Sequence, residues 1–300
     1  MKVLVSGSSG FVGRYVTAEL RHRRHEVVAL DLAAGQDARD PGVVARHLKD
    51  CDHFIAAAAL IGGIRYLHDR PYDLLAANER ITAAAFDAAI DAHRAGTLRK
   101  ITVVSSSMVY EMARDWPTAE GDEQHMPAPR SSYGFSKLAT EYFARAAWDQ
   151  HQLPYTIVRL FNVTGPGDRD HVITDLARKL LSGQDPLRIF GSGQQVRCFT
   201  YAGDVADGIV TAMEHPAAVN EDFNLSSATP TTVLELASLI WRKIRGDTPL
   251  RVIPDQPFAC DVQRRVPSVA KARDVLGFEA LTPLSVMLDE VIAGLRREAA

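Results

Sequence analysis

Cysteine is scarce. The 300-residue chain has three, Cys51, Cys198 and Cys260, odd in number, far apart and never in Cys-x-x-Cys spacing. That pattern argues against a disulfide framework and a cysteine zinc site, and leads us to expect reduced thiols in a cytoplasmic protein. The ten histidines are scattered without ligand spacing, so no metal is expected. No apolar run approaches the roughly 18 residues that a membrane-spanning helix needs. The longest, "FIAAAALIGGI" from Phe54 to Ile64, is rich in alanine and glycine and reads as a buried strand followed by a loop. An excess of either charge is also missing: 34 Lys and Arg face 37 Asp and Glu, a net charge of -3. Global attraction to nucleic acid or to anionic membranes is therefore not expected. The opening "MKVLVSG" starts a strand at once and leaves no room for a signal peptide. Internal repeats, low-complexity tracts and long linkers are lacking too.

What is present is a regular alternation of short apolar runs and longer amphipathic stretches, the pattern of βαβ units around a parallel sheet. Strands are expected at Lys2–Ser6, Glu26–Leu30, His53–Ala58, Lys100–Ser105 and Tyr155–Leu160. Helices are expected at Phe11–Arg23, Pro41–Lys49, Tyr72–Ala95 and Tyr133–Gln150. After "NVTGPGD", residues 162–168, the pattern loosens, with helices near Val172–Leu181, Thr232–Lys243 and Pro283–Arg296. The expected fold is an α/β, Rossmann-type doubly wound parallel sheet with a smaller C-terminal substrate-binding lobe. Residues 1–165 would form the first unit, with 198–225 returning to it, and 166–300 the mixed α/β lobe.

The stretch "VLVSGSSGFVGRYV" sets Gly7, Gly10 and Gly13 in G-x-x-G-x-x-G spacing, directly after a strand and opening a helix. Glycines permit a tight turn and close backbone approach, and the helix N-terminus offers N–H groups to a pyrophosphate. Asp31 closes the second strand, where a carboxylate suits both ribose hydroxyls of NAD and repels the 2′-phosphate of NADP. Further on, "SSYGFSK" places Tyr133 and Lys137 one helical turn apart on one face. A lysine there can hydrogen-bond a shared ligand and lower the pKa of the phenol. Taken alone, the spacing also suits a solvated aromatic–lysine pair near a helix start.

The glycine loop, "VVSSSMVY" on the fourth long strand and the Tyr133/Lys137 pair occur in order, and together they resemble the extended short-chain dehydrogenase/reductase family, in its nucleotide-sugar epimerase/dehydratase branch. Three later segments are similar to that branch as well: "RLFNVTGPG", "GSGQQVRCFTYAGDVADGI" and "DVQRRVPSVAKARDVLGF". The resemblance implies NAD as cofactor and a nucleotide-diphospho-sugar as substrate. It also implies Ser106 as the residue holding the sugar oxygen, Tyr133 as acid/base and Lys137 as partner of the nicotinamide ribose. Cofactor contacts would come from Gly7, Ser9, Gly10, Phe11, Val12 and Gly13, from Asp31 and Leu32, from Asp37 with Ala38 beside the adenine, and from Ala58, Asn78 and Phe161. Ser107, Asn162, Arg197 and Arg264 would join Ser106 and Tyr133 around the substrate, the arginines suiting a dianionic diphosphate. A homodimer through the helices Tyr72–Ala95 and Tyr133–Gln150 is a further implication.

Several positions depart from the branch's pattern. Only five residues separate Asp31 from Asp37, so the usual third strand and its loop are cut short. Cys198 stands for the usual Asp, Thr164 for Tyr, Ser268 for Asp and Ala56 for a common His. Ser107 and Met108 follow Ser106, where dehydratases of the branch carry Asp-Glu, decarboxylases a Glu and 3,5-epimerases a Cys. Neither residue is a useful acid at neutral pH, which leaves oxidation and re-reduction at carbon 4 as the expected reaction. The Gly-Gly of "AALIGGIRYL", residues 58–67, also resembles GDP-sugar 3,5-epimerases and GDP-fucose synthases, which keeps a GDP-linked substrate, an NAD(P)H-dependent 4-keto-sugar-nucleotide reductase and a 3,5-epimerase or dehydratase of the same family as alternatives. A non-enzymatic dinucleotide sensor is disfavoured, since such proteins commonly lose the Tyr or Lys and this chain keeps both with Ser106.

Overall fold

In the computed structural model, which describes residues 1–62, 66, 69–169, 171–256 and 262–298, the first strand, β1 (Lys2–Ser6), runs straight into the glycine loop. The loop then opens helix α1 (Phe11–His22). Strand β2 (Glu26–Leu30) returns parallel to β1 and ends at Asp31, after which only a short 3-10 turn, Leu32–Ala34, precedes helix α2 (Pro41–Leu48). Asp40 caps α2 by accepting the Gly42 and Val43 N–H groups, and Pro41 supplies a preset φ at its first turn. Strand β3 (His53–Ala56) is two residues shorter than expected, the chain leaving the sheet at Ala57. Helix α3 (Pro71–Arg94), strand β4 (Lys100–Ser106), helix α4 (Ser132–His151) and strand β5 (Tyr155–Leu160) complete the first half.

The strands form a six-stranded sheet in the order β2, β1, β3, β4, β5 and then Glu221–Leu225, every pair parallel. β2 is thus the edge of the sheet, as the short Asp31–Asp37 interval leads one to expect. One face packs α1 and the helix Ala202–Glu214 through Val16, Leu20, Ile209 and Met213. The other packs α2, α3 and α4 through Leu48, Phe86, Ala89 and Ala144. Order reverses about β1; the register aligns Ser6 with Ala56 and Val103, and β4 and β5 run three residues further to the paired ends Ser106 and Leu160. That edge is where a doubly wound sheet binds its ligands.

The later residues build a second apolar core from Ile173, Leu176, Leu180, Leu236, Ile240, Trp241, Leu288 and Ile292. Its helices are Val172–Leu181, Val233–Arg245 and Leu284–Glu298. Thr232 and Glu235 form a reciprocal capping box at the second of these. A three-stranded sheet of Pro230–Thr232, Val196–Cys198 and Arg264–Arg265 lies in this half. The helices Ala202–Glu214 and Ala270–Leu276 are not among the elements expected from periodicity. Cys51 and Cys198 are buried free thiols, while Cys260 and part of the Gly-Gly stretch fall outside the described residues. Among the described residues, no helix is long and apolar enough to cross a membrane.

Candidate active site

The glycine loop is tight enough to require its glycines. Gly7 has φ +71°, and a Cβ there would lie 2.9 Å from Ala58 Cα; a Cβ on Gly13 would lie 1.9 Å from the Gly7 carbonyl oxygen. The Gly7 N–H donates to the Leu30 carbonyl at 2.8 Å, tying the loop to the end of β2. There Asp31 Oδ2 accepts the Ser9 N–H at 2.8 Å and Oδ1 the Ala33 N–H at 2.9 Å, which fixes the carboxylate at the strand end. The first turn of α1, with Phe11, Val12 and Gly13, presents its N–H groups beside this carboxylate. Close backbone, a helix N-terminus and an acid at the second strand end fit a dinucleotide such as NAD.

The other expected cofactor contacts vary in how they are held. Leu32 is 67% exposed at the rim. Asp37 is engaged by Arg39, whose Nη2 lies 2.6 Å from Oδ2, and that guanidinium holds the carboxyl below the usual range. Ala38 packs against the sheet core. The Ala58 N–H donates to Ser6 Oγ at 3.2 Å. Asn78 uses both ends of its amide on Leu60, accepting its N–H at 2.7 Å and donating to its carbonyl at 3.0 Å. It therefore fixes the loop after β3. Phe161 is fully buried and stacks on Tyr110.

Ser106, Tyr133 and Lys137 are brought together. Ser106 ends β4, and its Oγ accepts the Met108 N–H at 3.2 Å; Ser107 behind it is buried. Ser131 caps α4 by accepting the Gly134 N–H at 3.0 Å, which sets Tyr133 and Lys137 on its first turns. Lys137 Nζ donates to the Val104 carbonyl at 2.8 Å and stands 5.8 Å from the centre of the Tyr133 ring. Burial brings the ammonium down to about 8, against the upward pull of Glu141. Burial raises the Tyr133 phenol above its ordinary value, and what pulls it back is a side-chain hydrogen bond with Ser106 and the charge of Arg265.

Arg265, next to Arg264, is a charge that acts on the Tyr133 phenol. The strand Arg264–Arg265 pairs in parallel with Val196–Cys198, so that Arg265 lies opposite Arg197 and Arg264 opposite Val196. Successive strand residues point to opposite faces. Arg264 is exposed, with its guanidinium 5.8 Å from the Trp116 ring centre and its carbonyl accepting the Trp116 indole N–H at 3.0 Å. Arg197 is 8% exposed, and its Nη1 donates to the Val196 carbonyl at 2.9 Å. Asn162 adopts φ 38° and donates from Nδ2 to the Cys198 carbonyl at 3.2 Å. The Cys198 thiol, pushed up to about 12 by burial, is a packing residue.

Behind the site lies a buried ionic network. Arg159, fully buried, bonds Glu141 through Nε at 2.8 Å and Nη2 at 2.7 Å, and its Nη2 also meets Glu123 at 3.0 Å and Asp222 at 2.8 Å. Ser105 donates to Glu141 at 2.6 Å, and Arg159 Nη1 donates to the Tyr110 hydroxyl at 2.7 Å. The ends of β4 and β5 are thereby fixed to α4.

Comparison with known proteins adds the chemistry that these neighbours perform. The NAD dependent epimerase/dehydratase family matches residues 3–226. An uncharacterised UDP-glucose epimerase of Bacillus subtilis is 27% identical over 98% of both chains. UDP-glucuronic acid decarboxylase 1 of Danio rerio is 27% identical over 99% of this chain and 73% of its own length. The solved structure of MoeE5 in complex with UDP-glucuronic acid and NAD superposes with a TM-score of 0.86 and 30% identity, covering 99% of this chain and 100% of that one.

Proposed function

The chain belongs to the NAD-dependent epimerase/dehydratase family and takes NAD as its cofactor; from that premise we propose that it epimerises a nucleotide-diphospho-sugar at carbon 4. The observation that carries this reading is the convergence of Ser106, Tyr133 and Lys137 at the C-terminal edge of β4, with Ser107 and Met108 in the two positions that follow. Bound NAD supplies the hydride acceptor and donor. Tyr133 exchanges the proton of the sugar hydroxyl, and Ser106 holds the same oxygen. Lys137 binds the nicotinamide ribose and keeps positive charge beside the phenol. Burial opposes formation of the phenolate, whereas Ser106 and Arg265 favour it. Arg197, Arg265 and Asn162 grip the diphosphate, Arg197 and Arg265 being paired residues of neighbouring strands whose guanidiniums suit a phosphate.

Elimination and decarboxylation would each call for an acid or a carboxylate after Ser106, and neither Ser107 nor Met108 supplies one. A one-way 4-keto-sugar reductase is the second reading, and it differs in consuming reduced cofactor. The experiment that separates the two is incubation with a panel of 4-epimeric sugar nucleotides and catalytic NAD, followed by NMR. Formation of the 4-epimer without added reductant supports the epimerase. Product formed only with stoichiometric NADH or NADPH removes it.

We also propose a homodimer through α3 and α4. These two helices pack together and leave Tyr72 at 75%, Tyr142 at 63% and Phe135 at 45% exposure. Sedimentation showing only monomer at working concentration would reject it. Buried free thiols at Cys51 and Cys198 support a cytoplasmic setting.

A further inference from the structure

The turn after β4 and the turn before α4 are tied by a side chain with no role so far. Glu111 Oε2 accepts both the Ser131 N–H, at 3.0 Å, and the Ser131 hydroxyl, at 2.7 Å. With its proton committed to Glu111, Ser131 Oγ turns a lone pair to the Gly134 N–H at 3.0 Å and caps the helix. On the other side, the Glu111 N–H donates to the Met108 carbonyl at 3.2 Å, and the Met108 N–H to Ser106 Oγ at 3.2 Å. Ser106 also acts on the Tyr133 phenol, lowering its pKa against burial, and Tyr133 is one residue from Gly134. The bonds therefore run in a chain from Ser106 through Met108, Glu111 and Ser131 to Gly134, on the helix turn that carries Tyr133. The fit is tight as well: a Cβ on Gly134 would lie 2.8 Å from the Met108 carbonyl oxygen.

We propose that Glu111 is a positioning residue for the Tyr133–Ser106 pair, clamping the N-terminus of α4 to the end of β4, an inference that rests on the acid–base role proposed for Tyr133. A serine cap alone would start the helix, but it would not tie the helix to the strand that carries Ser106. One carboxylate oxygen receiving two donors does so, and a charged acceptor makes the stronger bonds. A neutral amide at the same position could keep at most a weaker acceptor. Misplacement of a reacting group by about 1 Å can lower a rate by as much as 10²-fold, so a loosened clamp acts on turnover before it acts on binding.

The test compares E111Q, S131A and the double variant with the wild-type enzyme. We expect E111Q to lower kcat by about tenfold, with KM and NAD affinity changed less than about twofold. The acid limb of the kcat profile should move to higher pH, because a Ser106 hydroxyl displaced from the phenol favours the phenolate less. Lys137 on the same helix and Arg265 from the strand opposite Arg197, the charged groups near Tyr133, are altered by neither substitution. The double variant should be no worse than E111Q, since both break one link. Should E111Q not be recovered folded, S131A carries the same expectation with the carboxylate in place. A kcat within twofold of wild type, or a loss that appears in KM and NAD affinity alone, overturns the clamp. A parallel Y133F control keeps the two readings apart. Inactive Y133F beside an unaltered E111Q overturns the clamp alone, whereas active Y133F overturns the acid–base role beneath it.

Discussion

Arg265 lies directly opposite Arg197 across two parallel strands, while its neighbour Arg264 points away and rests on Trp116. A guanidinium suits a diphosphate, and the charge of Arg265 also reaches the Tyr133 phenol. We therefore predict that R265A raises KM for the sugar nucleotide by about 10- to 100-fold, the worth of a charge-assisted hydrogen bond of roughly 1.5–3 kcal/mol. R264A should leave KM within about twofold. Steady-state kinetics of the two variants check this, and equal effects would mean that the strand register does not select between them.

The glycine loop makes a sharper prediction. A methyl group on Gly13 would collide with the Gly7 carbonyl, 1.9 Å away, and backbone cannot yield as a flexible side chain can. G13A should lose at least about tenfold in NAD affinity by calorimetry. G35A is the control: its φ of +74° carries a strain cost, but nothing lies within 4 Å, so it should change NAD affinity little.

Lys137 sets a pH dependence. Burial lowers its ammonium to about 8, so the group is charged below that pH and loses its proton as pH rises through it. If the cation is needed beside the phenol and the ribose, kcat should fall on the alkaline side with an apparent pKa near 8. A K137M variant should lose most activity and show no such limb.

The buried network predicts a stability effect. E141L would leave Arg159 short of its bidentate partner at full burial. Breaking one side of such a pair costs about 3–5 kcal/mol. Denaturant unfolding of E141L should show a loss of that order, while breaking an exposed pair such as Arg251–Asp185 should leave the midpoint nearly unchanged.

Much of the first half was legible because its signals are local. Val, Leu and Ile runs ending in Gly7, Asp31 and Ser106 give strands, and the alanine-rich stretches between them give helices with small faces. The helix Ala202–Glu214 was missed because Gly203 and Gly208 interrupt its apolar period. Gly208 sits where a Cβ would come within 2.8 Å of Phe278, a packing reason invisible along the chain. Arg264 and Arg265 could not be told apart until the strand and its register were known. The part played by Glu111 depends on a hydrogen bond across twenty residues, with Ser131, and no periodic pattern reports such a contact. The pKa of Tyr133 is likewise not legible from spacing. A spacing shows a neighbouring charge but not the burial that outweighs it.

The most direct measurement uses a panel substrate deuterated at carbon 4, turned over with catalytic NAD, its product read by NMR and mass spectrometry. Oxidation and re-reduction at that carbon predicts a 4-epimer that keeps the deuterium on the inverted carbon. Loss of the label to solvent, or inversion at carbon 3 or 5 with carbon 4 untouched, would contradict the mechanism.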